Sequence, residues 1–142
     1  MSGGNRAFLD TNIFVYAYDN RDPLKQSIAL NLVRDLMNAD EAVISYQVVQ
    51  EFFNVALVKS RNKLTIESAD LILRDVFRPL IFVPSTIALI SSALALERRY
   101  LLSWYDSLIV AAAQYAGCSV LYSEDLQHGQ QFGTVKVTNP FL

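Results

Sequence analysis

The sequence predicts a single α/β domain built around a mostly parallel β-sheet. Short apolar segments rich in β-branched residues alternate with longer segments whose apolar residues recur every three or four positions. The 142 residues contain no internal repeat, low-complexity tract or linker rich in proline and glycine, so we expect one domain over residues 1–142. Helices between successive strands imply right-handed crossovers, and therefore parallel neighbouring strands.

Five segments are predicted to be strands, because each is short, apolar and bounded by polar residues or proline. They are residues 6–10, 41–45, 79–84, 119–123 and 134–138. A sheet of about four to five strands follows from these segments.

Six segments are predicted to be helices from their apolar periodicity. They are residues 12–18, 23–38, 48–60, 65–77, 85–100 and 103–117. The second segment places apolar residues every four positions and carries Pro23 in its first turn, where proline is favourable. Thr65 is a suitable N-cap for the fourth, and Gly117 marks the end of the last.

The composition indicates a cytoplasmic protein with a large core. Hydrophobic residues make up 52% of the chain, a surplus that leaves apolar surface for a partner. No apolar run reaches the roughly 18 residues of a membrane span, so we expect no membrane association. Residues 1–5 lack the apolar middle of a signal peptide and are expected to be flexible. The single cysteine, Cys118, cannot form an internal disulfide and fits a reducing compartment.

The charge balance excludes a protein that coats nucleic acid by bulk electrostatics. The net charge is −2 and the isoelectric point is about 5.3, so the chain has no overall basic field. A nuclease is still compatible with these values, because a site built from carboxylates is acidic until a cation binds.

Acidic residues stand where the predicted fold brings them to one edge of the sheet. Asp10 ends the first strand, and Glu124 and Asp125 follow the strand over residues 119–123. The carboxyl ends of parallel strands form the ligand-binding edge of such a sheet. Glu51 and Asp106 lie instead on helices, where the residues three or four positions away are apolar.

Each acid also has a structural explanation when it is taken alone. Asp10 could cap the turn that follows it, and the segment Ser-Trp-Tyr-Asp ending at Asp106 matches a capping box. Glu51 could pair with a buried lysine or arginine. Glu124 and Asp125 could be solvated loop residues. These alternatives stay open for the individual residues.

Taken together, acids from four separate segments indicate a metal site. Carboxylates that converge raise one another's pKa values unless a cation neutralises them. Oxygen ligands without thiolates or an imidazole cluster suit Mg²⁺ or Mn²⁺ better than zinc. Such a site suits phosphoryl chemistry, because the cation activates a water and stabilises charge on the leaving oxygen.

Four segments of the chain resemble the PIN-domain ribonucleases, and most closely the VapC-type toxins of toxin–antitoxin pairs. They are FLDTNIFVYAYD at 8–19, ISYQVVQEFFNV at 44–55, SWYDSLIVAAAQYAGC at 103–118 and LYSEDLQHGQ at 121–130, in the family's order. The resemblance implies a PIN-like three-layer α/β fold with helices flanking the sheet.

The resemblance also assigns four acids to the family's catalytic positions and two polar residues to supporting positions. The acids are Asp10, Glu51, Asp106 and Asp125, and the supporting residues are Asn12 and Ser123. Asp10, Asp106 and Asp125 would hold Mg²⁺ or Mn²⁺, and Glu51 would be a further ligand or orient the attacking water. Glu124 falls beside these positions and receives no role.

The activity implied by the resemblance is metal-dependent endoribonuclease hydrolysis of RNA phosphodiester bonds. The resemblance further implies a VapB-like antitoxin partner and a homodimer. Two alternatives stay open. One is a PIN-like module that binds RNA or protein without cleaving, and the other is a structure-specific DNA nuclease, although the chain lacks the length for its additional helices.

Overall fold

A six-stranded sheet flanked by helices organises residues 5–142, the part of the chain that the computed structural model describes. The strands are β1 (Ala7–Leu9), β2 (Ala42–Ser45), β3 (Ile81–Val83), β4 (Val120–Tyr122), β5 (Gln131–Phe132) and β6 (Val135–Thr138). Their order across the sheet is β3-β2-β1-β4-β6-β5, and every neighbouring pair is parallel except β5 with β6. The predicted α/β class is therefore confirmed. The flexibility expected for residues 1–5 falls mainly on residues 1–4, which lie outside the described residues.

The sheet has one strand more than the sequence predicts. Each of the five predicted segments contains a strand, and the additional one is β5. Its two residues are too few to show an alternating pattern. Gly133, which has a φ of +64°, turns the chain between β5 and β6 in a conformation that favours glycine.

Within residues 5–142, six α-helices connect and flank the strands. They are α1 (Thr11–Ala17), α2 (Pro23–Asn38), α3 (Tyr46–Asn54), α4 (Ile66–Ile72), α5 (Ile87–Tyr100) and α6 (Trp104–Tyr115). Helices α3 and α4 each continue into a π-helical turn, over Val55–Lys59 and Leu73–Phe77, so the predicted segments 48–60 and 65–77 change geometry midway. Thr65 caps α4 through its hydroxyl, as the sequence predicts. No helix among residues 5–142 is long and apolar enough to cross a bilayer.

The central strands bring the residues that directly follow β1 and β4 side by side at the carboxyl edge of the sheet. β1 and β2 are buried along their whole length, as central parallel strands are. β1 pairs with β4 so that Leu9 stands opposite Tyr122, and the Asp10 N–H donates to the Tyr122 carbonyl over 3.0 Å. The register therefore brings Asp10 and Ser123, the next residue along each chain segment, into direct contact.

Candidate active site

An open cleft of about 710 Å³ lies at this edge, and all four predicted acids line it. They are Asp10 after β1, Glu51 in α3, Asp106 in the first turn of α6, and Asp125 in the loop after β4. Residues separated by up to 115 positions in the sequence are thus brought to one concave surface. The catalytic role of these acids is a prediction that the geometry motivates.

The Asp10 carboxylate is the buried member of the four, with 5% of its surface exposed. It accepts hydrogen bonds from the Thr11 N–H over 2.7 Å and from the Ser123 hydroxyl over 2.8 Å. Burial nevertheless raises the pKa of Asp10 to about 6, and the negative charges of Asp125 and Glu51 act in the same direction. Asp10 is therefore both the N-cap of α1 and a costly buried carboxyl in a polar cleft.

Thr11 connects Asp10 to Glu51. Its N–H donates to Asp10, and its hydroxyl donates to Oε1 of Glu51 over 2.6 Å. Gln47, one turn earlier on α3, donates to the other Glu51 oxygen over 3.3 Å. Among the ion pairs formed by residues 5–142 none includes Glu51, so the alternative of a buried basic partner does not apply. Glu51 is held by two neutral donors, which leave its charge facing the cleft.

Asp106 takes part in capping α6 through its backbone N–H, as the capping-box pattern predicts. The Asp106 N–H donates to the Ser103 hydroxyl oxygen over 3.2 Å, and Ser103 is the N-cap of α6. The carboxylate of Asp106 lines the cleft. Capping through the amide therefore leaves the side chain available for another task.

The loop after β4 is anchored by Ser123 and Asn12. The Ser123 hydroxyl is fully buried, donates to Asp10, and accepts from the N–H groups of Asp125 and Leu126 over 3.2 and 3.3 Å. The Asn12 amide donates to the Asp125 carboxylate over 2.8 Å. Partial burial and the charge of Asp106 raise the pKa of Asp125. Asn12, which the resemblance assigns to the support of Asp10, contacts Asp125 instead, whereas Ser123 contacts both Asp10 and the Asp125 backbone. The supporting role of both residues stays a prediction.

The four acids do not form a preassembled ligand cluster. Within residues 5–142 no group of three or more His, Cys, Asp or Glu side chains is arranged to hold a metal ion. Two members of the predicted metal-binding set, Asp10 and Asp125, are turned onto Ser123 and Asn12. Magnesium is commonly held by one or two carboxylates and keeps several of its waters, so a donor set of carboxylates around an open cleft fits such a cation.

Sequence reasoning placed Lys59 only in a local basic patch able to hold phosphates, and it gave Gln47 no role in the cleft. Gln47 and Lys59 line it together with Glu51 and Val55, and the four stand at intervals of four along α3 and its π-helical turn. The spacing from Glu51 is the signal that could have found them, since residues four positions apart share a helix face. Lys59 brings a positive charge to an otherwise acidic lining.

Glu124, whose role the sequence leaves open, lies outside the cleft lining. It accepts hydrogen bonds from the Tyr16 hydroxyl over 2.6 Å and from the Lys25 ammonium, which also stands over the rings of Tyr16 and Phe141. Burial alone would raise the pKa of Glu124, but the bonds from Lys25 and Tyr16 outweigh it and the pKa is lowered. Glu124 therefore ties the loop that carries Asp125 to α1 and α2.

Neutralising the Glu124 side chain is expected to lower the thermal stability of the protein at neutral pH. We expect Glu124→Gln to melt below the wild type at pH 7, because a carboxylate with a lowered pKa stabilises the folded state when ionised. This contribution is present above the unfolded pKa, near 4.5, and is lost as the pH falls through the lower folded pKa. Thermal melts from pH 7 to pH 3 test it. A difference in melting temperature that stays constant over this range would contradict the assignment.

The family model of the PIN domain matches residues 7–130, and the chain belongs to the PIN domain family. The resemblance seen in the sequence is thereby confirmed. A comparison with curated protein sequences gives no significant match.

Solved structures that share the fold include those of FitAB and VapC20. The structure of FitAB bound to an IR36 DNA fragment has a TM-score of 0.69 at 15% identity and covers 96% of each chain. VapC20 of Mycobacterium tuberculosis, a toxin that cleaves the sarcin–ricin loop, has a TM-score of 0.63 at 18% identity, covering 84% of this chain and 89% of its own. At these identities the likeness establishes the three-dimensional fold.

Proposed function

We propose that this chain is a metal-dependent endoribonuclease and the toxin of a VapBC-type toxin–antitoxin pair. The observation that carries the hydrolytic function is the cleft lined by four carboxylates, one of them buried with its pKa raised to about 6. Membership of the PIN domain family and the fold shared with an RNA-cleaving toxin support RNA as the substrate. The proposal includes a cytoplasmic location.

The residues of the cleft divide the work of hydrolysis between them. Asp10 and Asp106 would hold Mg²⁺ or Mn²⁺, with Asp125 as an additional ligand. When bound, the cation would supply Lewis-acid activation and neutralise charge that develops on the phosphoryl oxygens. Glu51, fixed by Thr11, would orient the attacking water and accept its proton. Ser123 orients the Asp10 carboxylate by donating a hydrogen bond to its Oδ2 atom.

An antitoxin and a second copy of the chain complete the proposal. The FitAB and VapC20 neighbours support a VapB-like antitoxin as the protein partner. Exposed apolar side chains on one side of α5 support a homodimer, because large apolar surfaces that face solvent are typical of association sites. They are Ile87, Ile90 and Leu94, which are 82%, 38% and 56% exposed.

Cleavage of matched oligonucleotides separates the proposal from its alternatives. We expect the purified protein to cut single-stranded RNA in Mg²⁺ or Mn²⁺, to stop when the metal is chelated, and to leave DNA of the same sequence intact. Cleavage of DNA in preference to RNA would favour a DNA nuclease. Binding of RNA without cleavage under all metal conditions would favour a silent module.

A bound metal is expected to raise the melting temperature. The cation relieves repulsion among the acids and binds only the folded chain, so Mn²⁺ at about 100 times its Kd should raise Tm by about 9 °C. The shift should shrink in Asp106→Asn, which lacks one proposed ligand. Differential scanning fluorimetry with EDTA as the reference measures it. An unchanged Tm at millimolar Mn²⁺ would argue against a metal site in the cleft.

A further inference from the structure

A second cavity of about 390 Å³ lies directly beside the acid cleft, and we call it the side cavity. It lies between α1, the start of α2, α3 with its π-helical turn, and the segment over residues 60–64. Val55 lines both the side cavity and the acid cleft. Phe52, which closes part of the side cavity, directly follows Glu51 of the cleft. The two spaces are therefore neighbours along one surface.

The side cavity is lined by aliphatic and aromatic side chains, by the ion pair between Asp19 and Arg21, and by three carboxamides. Tyr18 and Phe52 pack edge to face, with ring centroids 5.9 Å apart, and Asn20, Gln26 and Asn62 supply the amide groups. The Gln26 Nε2 donates to the Ala17 carbonyl over 3.2 Å, which fixes this carboxamide and directs its oxygen as an acceptor. Aromatic faces with a few amide groups are the usual means of recognising an unpaired nucleobase. The volume lies in the range of small-ligand pockets.

A basic segment, which we call the basic rim, runs from the lining of the acid cleft to the lining of the side cavity. Lys59, Arg61 and Lys63 are exposed, and they alternate with Ser60 and Asn62 of the side cavity. Lys59 itself lines the acid cleft. Three positive side chains within five residues contrast with a net charge of −2 for the whole chain. Such a segment fits the phosphates of a strand that passes from one space to the other.

We propose that the side cavity binds a nucleobase of the RNA close to the scissile phosphate, while Lys59, Arg61 and Lys63 bind the adjoining phosphates. This inference rests on the proposed ribonuclease function and adds a base-selective subsite to it. Tyr18 offers a face for stacking, and the carboxamides of Gln26 and Asn62 read the base edge. The basic rim and the amide groups favour a nucleotide over an apolar protein side chain as the occupant.

Two variants of the side cavity test the subsite. Asn62→Ala removes an exposed carboxamide, and Ala56→Trp fills the space from the π-helical turn. Their substrates are four RNA oligonucleotides that differ only in the base next to the cleavage position. We expect KM for the preferred base to rise about 10-fold, kcat to change less than 2-fold, and the preference among the four bases to flatten. Asn31→Ala, an exposed asparagine on α2 outside the cavity, is the matched control.

A second experiment, on the salt dependence of RNA binding, tests the phosphate contacts of the basic rim. RNA binding is measured in an Asp106→Asn background, so that the RNA stays intact, over a range of salt concentrations. Arg61→Gln with Lys63→Gln should reduce the slope of log K against log salt by about 1.4, since each contact to single-stranded phosphate contributes about 0.7. Arg98→Gln with Arg99→Gln, at the end of α5, should leave the slope unchanged.

The outcomes distinguish the subsite from the activity on which it rests. If the wild type cleaves RNA and both folded side-cavity variants keep the wild-type KM and base preference, the subsite is wrong and the nuclease stands. Asn62→Ala keeps the test valid should Ala56→Trp fail to fold, because its side chain is exposed. A wild type that cleaves no RNA overturns the proposed function and the subsite together.

Discussion

Asp106→Asn is expected to reduce metal-dependent RNA cleavage by about 10³-fold, the scale of losing one charged ligand that stabilises the transition state. The substitution preserves shape and removes the charge that also raises the pKa of Asp125. The fold should be unaffected, because α6 is capped through the Asp106 N–H, which asparagine retains. Initial rates on a labelled RNA in saturating Mn²⁺ measure the effect.

Asp35→Asn provides the matched control for this experiment. Asp35 is an exposed acid on α2 that does not line the cleft, so its neutralisation should leave the cleavage rate within twofold of the wild type. Melting temperatures of the two variants show whether both are folded. An Asp106→Asn protein that cuts RNA at the wild-type rate would exclude Asp106 from catalysis.

Asp10→Asn is expected to abolish cleavage and at the same time to stabilise the metal-free protein at pH 8. The pKa of Asp10 is raised from 3.8 to about 6 by burial, so ionisation of this side chain opposes folding. A shift of this size corresponds to about 2 to 3 kcal/mol of unfolding free energy. Function and stability therefore conflict at this residue.

The sign of the pH dependence follows from the proton uptake of the two states. Between pH 3.8 and about 6 the folded chain holds a proton at Asp10 that the unfolded chain has lost, so stability falls as the pH rises. The advantage of Asp10→Asn is therefore complete above pH 6 and absent below about pH 3.8. Urea titrations in EDTA at pH 8 and pH 4 measure it. A variant less stable than the wild type at pH 8 would show that the ionised Asp10 carboxylate does not destabilise the folded protein.

Most of the fold follows from local patterns in the sequence. The helix over Pro23–Asn38 begins and ends as predicted, because its apolar period and first-turn proline are strong local signals. The π-helical turns over Val55–Lys59 and Leu73–Phe77 were missed, since an apolar helical stretch carries no separate signal for the wider turn. β5 was missed because two residues show no periodicity.

The sequence predicts the parts of the site that depend only on which strand a residue follows. Asp10 and Asp125 follow neighbouring parallel strands, so the topology alone places them together. The hydrogen bond from Thr11 to Glu51 depends on how α3 packs against α1, and no local pattern encodes that contact. The ion pair between Lys25 and Glu124 joins residues 99 positions apart and is invisible to sequence reasoning for the same reason.

The ends of the cleaved RNA test the central proposal most directly. Hydrolysis by an activated water yields a linear phosphate monoester at the cut, whereas attack by the RNA's own 2′-hydroxyl yields a 2′,3′-cyclic phosphate. The only histidine, His128, is absent from the lining of the cleft and accepts the Asn139 N–H through Nδ1. We therefore expect linear phosphate ends that form in Mg²⁺ or Mn²⁺ and disappear with EDTA. Cleavage that continues in EDTA and leaves 2′,3′-cyclic phosphate ends would contradict a carboxylate-held metal as the basis of activity.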